Sequence, residues 1–197
     1  MDEITNNEMN FVLKLFKNPE KEYNANSISK EVGISPMGAL KIAKRLEKEN
    51  IIESKELGRA KFYKLKPDND YVKEYVRFLL KREKEKASPQ VKVWIDEIKK
   101  LKSADAAILF GSTLRINQEA QDIDLVLITD KQKFSKLKNE IEEINQVNFK
   151  KIHPVFQTKE DFIKNIRKED KIIISAIKGL FIFGEDVIIG ALQNEPR

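Results

Sequence analysis

Cysteine is missing from all 197 residues, which removes disulfides, thiolate metal sites and cysteine nucleophiles together and makes a reducing, cytoplasmic setting the expectation. Histidine and tryptophan each occur once, and glycine and proline are sparse at 7 and 6 residues; there is no internal repeat and no low-complexity segment. No apolar stretch reaches the roughly 20 residues needed to cross a bilayer, and Met1-Asp2-Glu3 lacks the basic, then apolar, order of a signal peptide. The chain is therefore expected neither to span a membrane nor to be exported. Charge of one sign is lacking too. The 37 Lys and Arg face 32 Asp and Glu, for a net +5 and a pI near 9.1, a balance that permits nucleic-acid binding and equally describes an ordinary solvated surface. The small excess is uneven: residues 1–88 hold 19 Lys and Arg against 15 Asp and Glu, the remainder 18 against 17.

The length leaves room for two small domains. Phe11, Val12, Leu15 and Phe16 recur at helical spacing ahead of Asn18-Pro19, which predicts an amphipathic helix stopping there. Asn26 and Ser27 are candidate caps of a short helix through Val32, Gly33 supplies a turn, and Ser35-Pro36 starts another helix running to about Glu49. Two extended runs, Ile51 to Glu56 and Lys61 to Leu65, flank Leu57-Gly58-Arg59-Ala60 and predict a hairpin. Val72, Tyr75, Val76 and Leu79 then predict a helix from Tyr71 to about Lys86, with the mixed-charge run Lys81 to Lys86 as its solvated end. Phe78 and Leu80 lie outside that stripe and suit a homodimer interface or interdomain packing equally.

Ser88-Pro89 marks a break, and Val91, Trp94, Ile95, Ile98 and Leu101 form the stripe of a further helix. Beyond it the texture changes. Apolar runs at Ala106 to Phe110 and Ile123 to Ile128, a helix near Phe134 to Ile144 and a strand near Phe149 to Gln157 alternate as in a sheet flanked by helices. Thr158 with Asp161 predicts a helix start, Gly179 a helix stop, and Leu180 to Phe183 a strand before a last short helix.

On the helix from Pro36, Ala39, Ile42, Ala43 and Leu46 share one face, while Lys41, Lys44, Arg45 and Lys48 fall opposite. Cations at that spacing can neutralise phosphates beside a major groove, with Ser35, Met37 and Gly38 at the end where base edges are met, and Arg59 and Lys61 on the hairpin reaching the neighbouring backbone or minor groove. A lysine-rich outer face is also common on any soluble helix, and such a face can serve RNA or a protein instead. The order of helix, helix, Gly-containing turn, basic helix and hairpin resembles the small winged helix-turn-helix transcription regulators over roughly residues 8–66. The resemblance implies binding to double-stranded DNA.

The second motif is Ile108-Leu109-Phe110-Gly111-Ser112, followed after nine residues by Asp122-Ile123-Asp124-Leu125. Gly111 lets backbone approach a ligand without a side chain in the way, and Ser112 adds a hydroxyl, a grip suited to a terminal phosphate. Strand alternation puts Asp122 and Asp124 on one face. Two such carboxylates repel by up to ~4 kcal/mol at 4 Å and an effective dielectric of 20, and a divalent cation relieves this; oxygen ligands beside a phosphate grip suit magnesium. The plain alternative is an exposed aspartate pair after a Gly-Ser turn.

This pattern resembles the nucleotidyltransferase superfamily related to DNA polymerase beta, its minimal members especially, over approximately residues 90–190. The resemblance implies that Gly111 and Ser112 hold a nucleoside triphosphate, that Asp122 and Asp124 bind Mg2+ and carry catalysis, and that a nucleotidyl group passes to a protein or other acceptor. Arg115 is placed to contact a phosphate or to pair with Glu119. Active members of the superfamily carry a third carboxylate on a later strand, whereas Phe149 to Gln157 here contains none. His153 stands in or beside that position, as a ligand, a weak base or a structural residue. Pro154 predicts that this strand lies at a sheet edge or is locally irregular.

The expected architecture is α+β in two domains: a winged helix-turn-helix at 1–70, a connecting helix at 71–88, and a nucleotidyltransferase-type mixed sheet flanked by helices at 89–197. Two functions fit. One is a DNA-binding regulator whose second domain binds NTP and Mg2+ and transfers a nucleotidyl group; the other is a regulator whose second domain has lost the chemistry.

Overall fold

Thr5 and Glu8 set the first helix. The Thr5 side chain accepts the Glu8 N–H, and the Glu8 carboxylate accepts the Thr5 N–H at 2.7 Å, a capping box that satisfies two donors at once. The computed structural model describes residues 4–66, 68–115 and 121–193, and the chain divides into two units, Met1–Leu79 and Leu80–Arg197.

In the first unit α1 (Asn6–Lys17) buries Phe11, Val12, Leu15 and Phe16 and ends at Asn18, as its apolar spacing requires. The next helix starts earlier than the sequence expectation. Asn24 caps α2 (Ala25–Val32), and Ser27 answers from inside the first turn by accepting the Asn24 N–H at 2.9 Å; Asn26 and Ser27 are thus helical residues, because Asn24 sits three residues before a hydroxyl that completes the box. Gly33, with φ +76°, closes that helix in the left-handed conformation. Ser35 caps α3 (Pro36–Lys48), with Pro36 in its first turn. β2 (Ile52–Leu57) and β3 (Ala60–Leu65) pair antiparallel through a two-residue turn at Gly58-Arg59. A short strand missed by the sequence reading, β1 (Tyr23–Asn24), pairs with the other side of β3 to give the order β1-β3-β2. Two residues are too few to show an alternating pattern. Phe11 and Tyr63 meet with ring centroids 6.1 Å apart, tying α1 to the wing. Three helices followed by a hairpin make this unit a winged helix-turn-helix in its order of elements.

α4 (Asp70–Glu85) carries Tyr75 and contains the dividing line between the two units. Leu80 is fully buried, so this residue is not available for the dimer interface considered for it, while Phe78 is 52% exposed. The mixed-charge end is not wholly solvated either: Lys84 donates to the Ile182 carbonyl at 2.7 Å and pairs with Glu185 at 3.2 Å. Burial first, and the nearby Glu8 carboxylate second, push the Tyr75 phenol up to about 12; burial also raises Tyr63 and Tyr23. The unfolded chain releases such protons near pH 10, before the folded protein does. Stability from this source is therefore complete below about pH 10 and lost progressively as pH rises toward 12. Thermal melts between about pH 9 and 12 should show the wild type falling more steeply than Tyr75→Phe. Equal slopes would assign the alkaline loss to other groups.

In the second unit Ser88 caps α5 (Pro89–Ile98), whose Val91, Trp94, Ile95 and Ile98 enter the core with Leu101. A four-stranded mixed sheet follows in the order β6-β5-β4-β7. Its strands are β4 (Ala106–Phe110), β5 (Asp122–Ile128), β6 (Lys151–Gln157) and β7 (Leu180–Phe183). β4 runs antiparallel to both β5 and β7, and β5 runs parallel to β6. β6 is an edge strand, where Pro154 removes no ladder donor that a second neighbour would need.

α6 (Phe134–Val147) extends a turn beyond the expected end. α7 (Lys159–Arg167) starts at Thr158, which accepts the Asp161 N–H; the Asp161 carboxylate returns to the Thr158 hydroxyl at 3.0 Å rather than to its N–H, so only half of the box forms. α8 (Lys171–Ile177) is a helix the sequence reading located only by its stop at Gly179. Its cap is Asp170, which accepts from both Ile172 and Ile173 N–H. α9 (Glu185–Gln193) follows β7. Polar residues inside this unit are satisfied locally: Glu140 accepts from the Ser103 N–H and hydroxyl, and Thr129 donates to the Ser103 carbonyl at 2.8 Å.

Candidate functional site

The register of β4 and β5 builds the site. Phe110, the last residue of β4, stands opposite Asp124, so the turn that follows must pass over the Asp124 side chain. Gly111 makes that passage with φ +79°, and a Cβ built on it would lie 2.1 Å from Asp124 Oδ2. No larger residue fits without moving the carboxylate. Gly111–Leu114 then form one 3-10 turn, and the Thr113 hydroxyl donates to the Asp122 carbonyl at 3.2 Å, fastening the turn to the start of β5. Thr113 was missed in the sequence, where it reads only as a spacer between two motifs.

Along β5, Asp122 and Asp124 are partly exposed on either side of buried Ile123, and the strand is buried from Leu125 onward. Both aspartates thus sit on one face at one end of an otherwise apolar strand, as alternation predicts. Parallel pairing puts Lys151 opposite Asp122 and His153 opposite Asp124. His153 Nε2 approaches Asp122 Oδ1 at 3.6 Å, a separation longer than a hydrogen bond. Lys151 is turned to the end of α6, where its ammonium donates to the carbonyls of Asn145 and Asn148. Ser112 is partly exposed beside Gly111 and Arg115 is exposed after the turn; Glu119, its candidate ion-pair partner, lies outside the described residues.

Residues 94–178 match the family model of polymerase beta nucleotidyltransferases. This segment contains the Gly111-Ser112 turn, both aspartates and His153. No curated protein matches the chain. Solved structures to which the chain is similar include AF1382 from Archaeoglobus fulgidus, at 13% identity and a TM-score of 0.38 over 43% of this chain and 93% of that one. A variant of ZitR from Lactococcus lactis gives 20% identity and a TM-score of 0.35, covering 42% of this chain and 56% of that one. The homodimeric winged helix-turn-helix DNA-binding domain Mb0332 from Mycobacterium bovis gives 15% identity and 0.31, covering 47% and 70%.

Magnesium takes oxygen ligands and is commonly held by one or two carboxylates together with substrate phosphates. Asp122 and Asp124, on one face of β5 beside the Gly111 turn, supply carboxylate oxygens of that kind. Among the described residues no group of three or more His, Cys, Asp or Glu side chains gathers as a self-sufficient metal cage.

On α3, Lys41, Lys44 and Lys48 are exposed. Arg45, grouped with them in the sequence, turns aside: it pairs with Glu8 on α1 at 3.1 Å and with Glu49 at 2.9 Å, and only 24% of its side chain is exposed. On the helical wheel it lies about 100° from Lys44, and its two carboxylate partners engage its charge inside the unit. Ser35 accepts the Gly38 N–H at 3.0 Å, and Met37 is 62% exposed. Arg59 is exposed at the hairpin turn, while Lys61 lies 3.6 Å from Glu56.

Proposed function

We propose that this protein is a DNA-binding regulator whose second unit binds a nucleoside triphosphate with magnesium and transfers its nucleotidyl group to a protein or other acceptor. The observation that carries the reading is the fit of Gly111 over Asp124, with Asp122 on the same face: a larger residue at this φ +79° position would displace the Asp124 carboxylate. The match of residues 94–178 to the polymerase beta nucleotidyltransferase model supports it.

In this reading the Gly111-Ser112 turn holds the triphosphate and Arg115 adds positive charge. Asp122 and Asp124 hold magnesium, which when bound offsets the charge of the triphosphate. An acceptor oxygen attacks the α-phosphorus, the bond to pyrophosphate breaks, and the acceptor proton passes to solvent or to His153. Positioning and charge neutralisation carry most of such a transfer. Lys41, Lys44, Lys48 and Arg59 meet duplex phosphates, and a homodimer would present paired wings to paired half-sites.

A second reading rests on β6, which offers His153 and Lys151 opposite the aspartates and no third carboxylate. There the second unit binds nucleotide without chemistry. Incubation with magnesium and each α-labelled triphosphate, with and without cell extract, separates the two. Label on an acceptor establishes transfer; saturable magnesium-dependent binding without label establishes the second reading, and neither refutes both.

A further inference from the structure

Met37 leads the cationic stripe. At 100° per residue, positions 37, 41, 44 and 48 of α3 fall within about 60° of one another, so an exposed thioether side chain and three exposed lysines form one continuous line along the helix. Arg45 lies off this line and is held by Glu8 and Glu49.

The leading turn of that line is chemically unusual for a surface that meets base edges. Side chains that discriminate bases by hydrogen bonding present paired donors or acceptors, as arginine, asparagine and glutamine do. Pro36 and Gly38 have no side-chain polar group. Ser35 has a single hydroxyl whose oxygen already accepts the Gly38 N–H. Met37 remains, apolar and 62% exposed. In the major groove the complementary feature is the C5-methyl group of thymine.

Resting on the DNA-binding reading above, the geometry points to a recognition helix that reads duplex DNA chiefly by apolar contact between Met37 and C5-methyl groups in the major groove. The lysine stripe supplies sequence-independent affinity. The occupant is committed to duplex DNA by charge: three cations on the same line match a phosphate backbone.

The test uses the full-length chain and four alternating duplexes: poly(dA-dT), poly(dA-dU), poly(dG-dC) and poly(dG-5-methyl-dC). Burying one methyl group favours the methylated member of each pair by about three- to fivefold. Both preferences should disappear in Met37→Ser, while the slope of log affinity against log salt stays unchanged because no phosphate contact is lost. Equal affinity within both pairs, together with a steep salt slope, overturns methyl reading and leaves DNA binding standing. A preference that survives Met37→Ser also overturns it. Binding to none of the duplexes at about 50 mM salt removes the DNA reading and this inference with it.

Discussion

Asp122→Asn/Asp124→Asn should abolish magnesium-dependent nucleotide binding while leaving the second unit folded. The substitution removes two negative charges and keeps the size and one oxygen of each side chain, so what is lost is charge rather than packing. Removing one pre-organised electrostatic contact of this kind typically costs a hundred- to a thousandfold in a chemical step, so label transfer should fall by at least about a hundredfold. Stability should change little. The two aspartates are partly exposed on one face, and the substitution gives up only the long His153 contact to a 42% exposed Asp122. Titration calorimetry with and without magnesium, beside thermal melts, gives both readouts. Gly111→Ala provides the contrast: both charges remain, but the new Cβ displaces Asp124 and the residue must leave or strain the φ +79° conformation. A partial loss of binding with a lowered melting temperature is expected. If the aspartate pair can be removed without changing magnesium dependence, the site lies elsewhere.

The legible parts of this protein are those encoded by local chemistry. Ser35-Pro36, Ser88-Pro89 and Thr158 announce helix starts because cap and first-turn preferences act within four residues. The glycine turn and aspartate pair were visible as an ordered motif, and β4 and β5 deliver it because their apolar runs leave little choice of element. What escaped depends on register and on partners far away in sequence. β1 exists because Tyr23 and Asn24 meet Tyr63 and Phe62 across the sheet, and nothing in two residues signals that. His153 was singled out in the sequence, but its approach to Asp122 follows from the parallel pairing of β6 with β5. Thr113 acts through a carbonyl nine residues on. Arg45 looks like a fourth exposed cation on a helical wheel, since a wheel carries no information about Glu8, which approaches from another helix.

That last pairing leads to the second large effect. Glu8 is buried, with 3% of its surface exposed, and its carboxylate serves two partners: one oxygen accepts from the Thr5 N–H and hydroxyl at 2.7 and 2.9 Å, the other meets Arg45 at 3.1 Å. Glu8→Gln should therefore destabilise the first unit by about 2–4 kcal/mol, at or below the usual range for breaking a buried pair because Arg45 retains Glu49 and some solvent. For a unit of this size the melting temperature should drop by roughly 10–20 °C. A double-mutant cycle with Arg45→Met separates the two partners. If the ion pair dominates, Glu8→Gln costs much less in the Arg45→Met background; if the capping role dominates, the cost is the same in both, and Thr5→Ala reproduces most of it. Lys44→Ala is the functional counterpart. Lys44 is exposed on the stripe, so its loss should leave the melting temperature within about 1 °C while reducing the salt slope of duplex binding by about 1. Arg45 and Lys44 are adjacent residues of one helix, and on the proposed DNA-binding reading their expected signatures are opposite: stability without salt dependence for the first, salt dependence without stability for the second. A loss of DNA affinity in Arg45→Met that persists at temperatures where the unit remains folded, with a reduced salt slope, would return Arg45 to the phosphate-facing set and break this division.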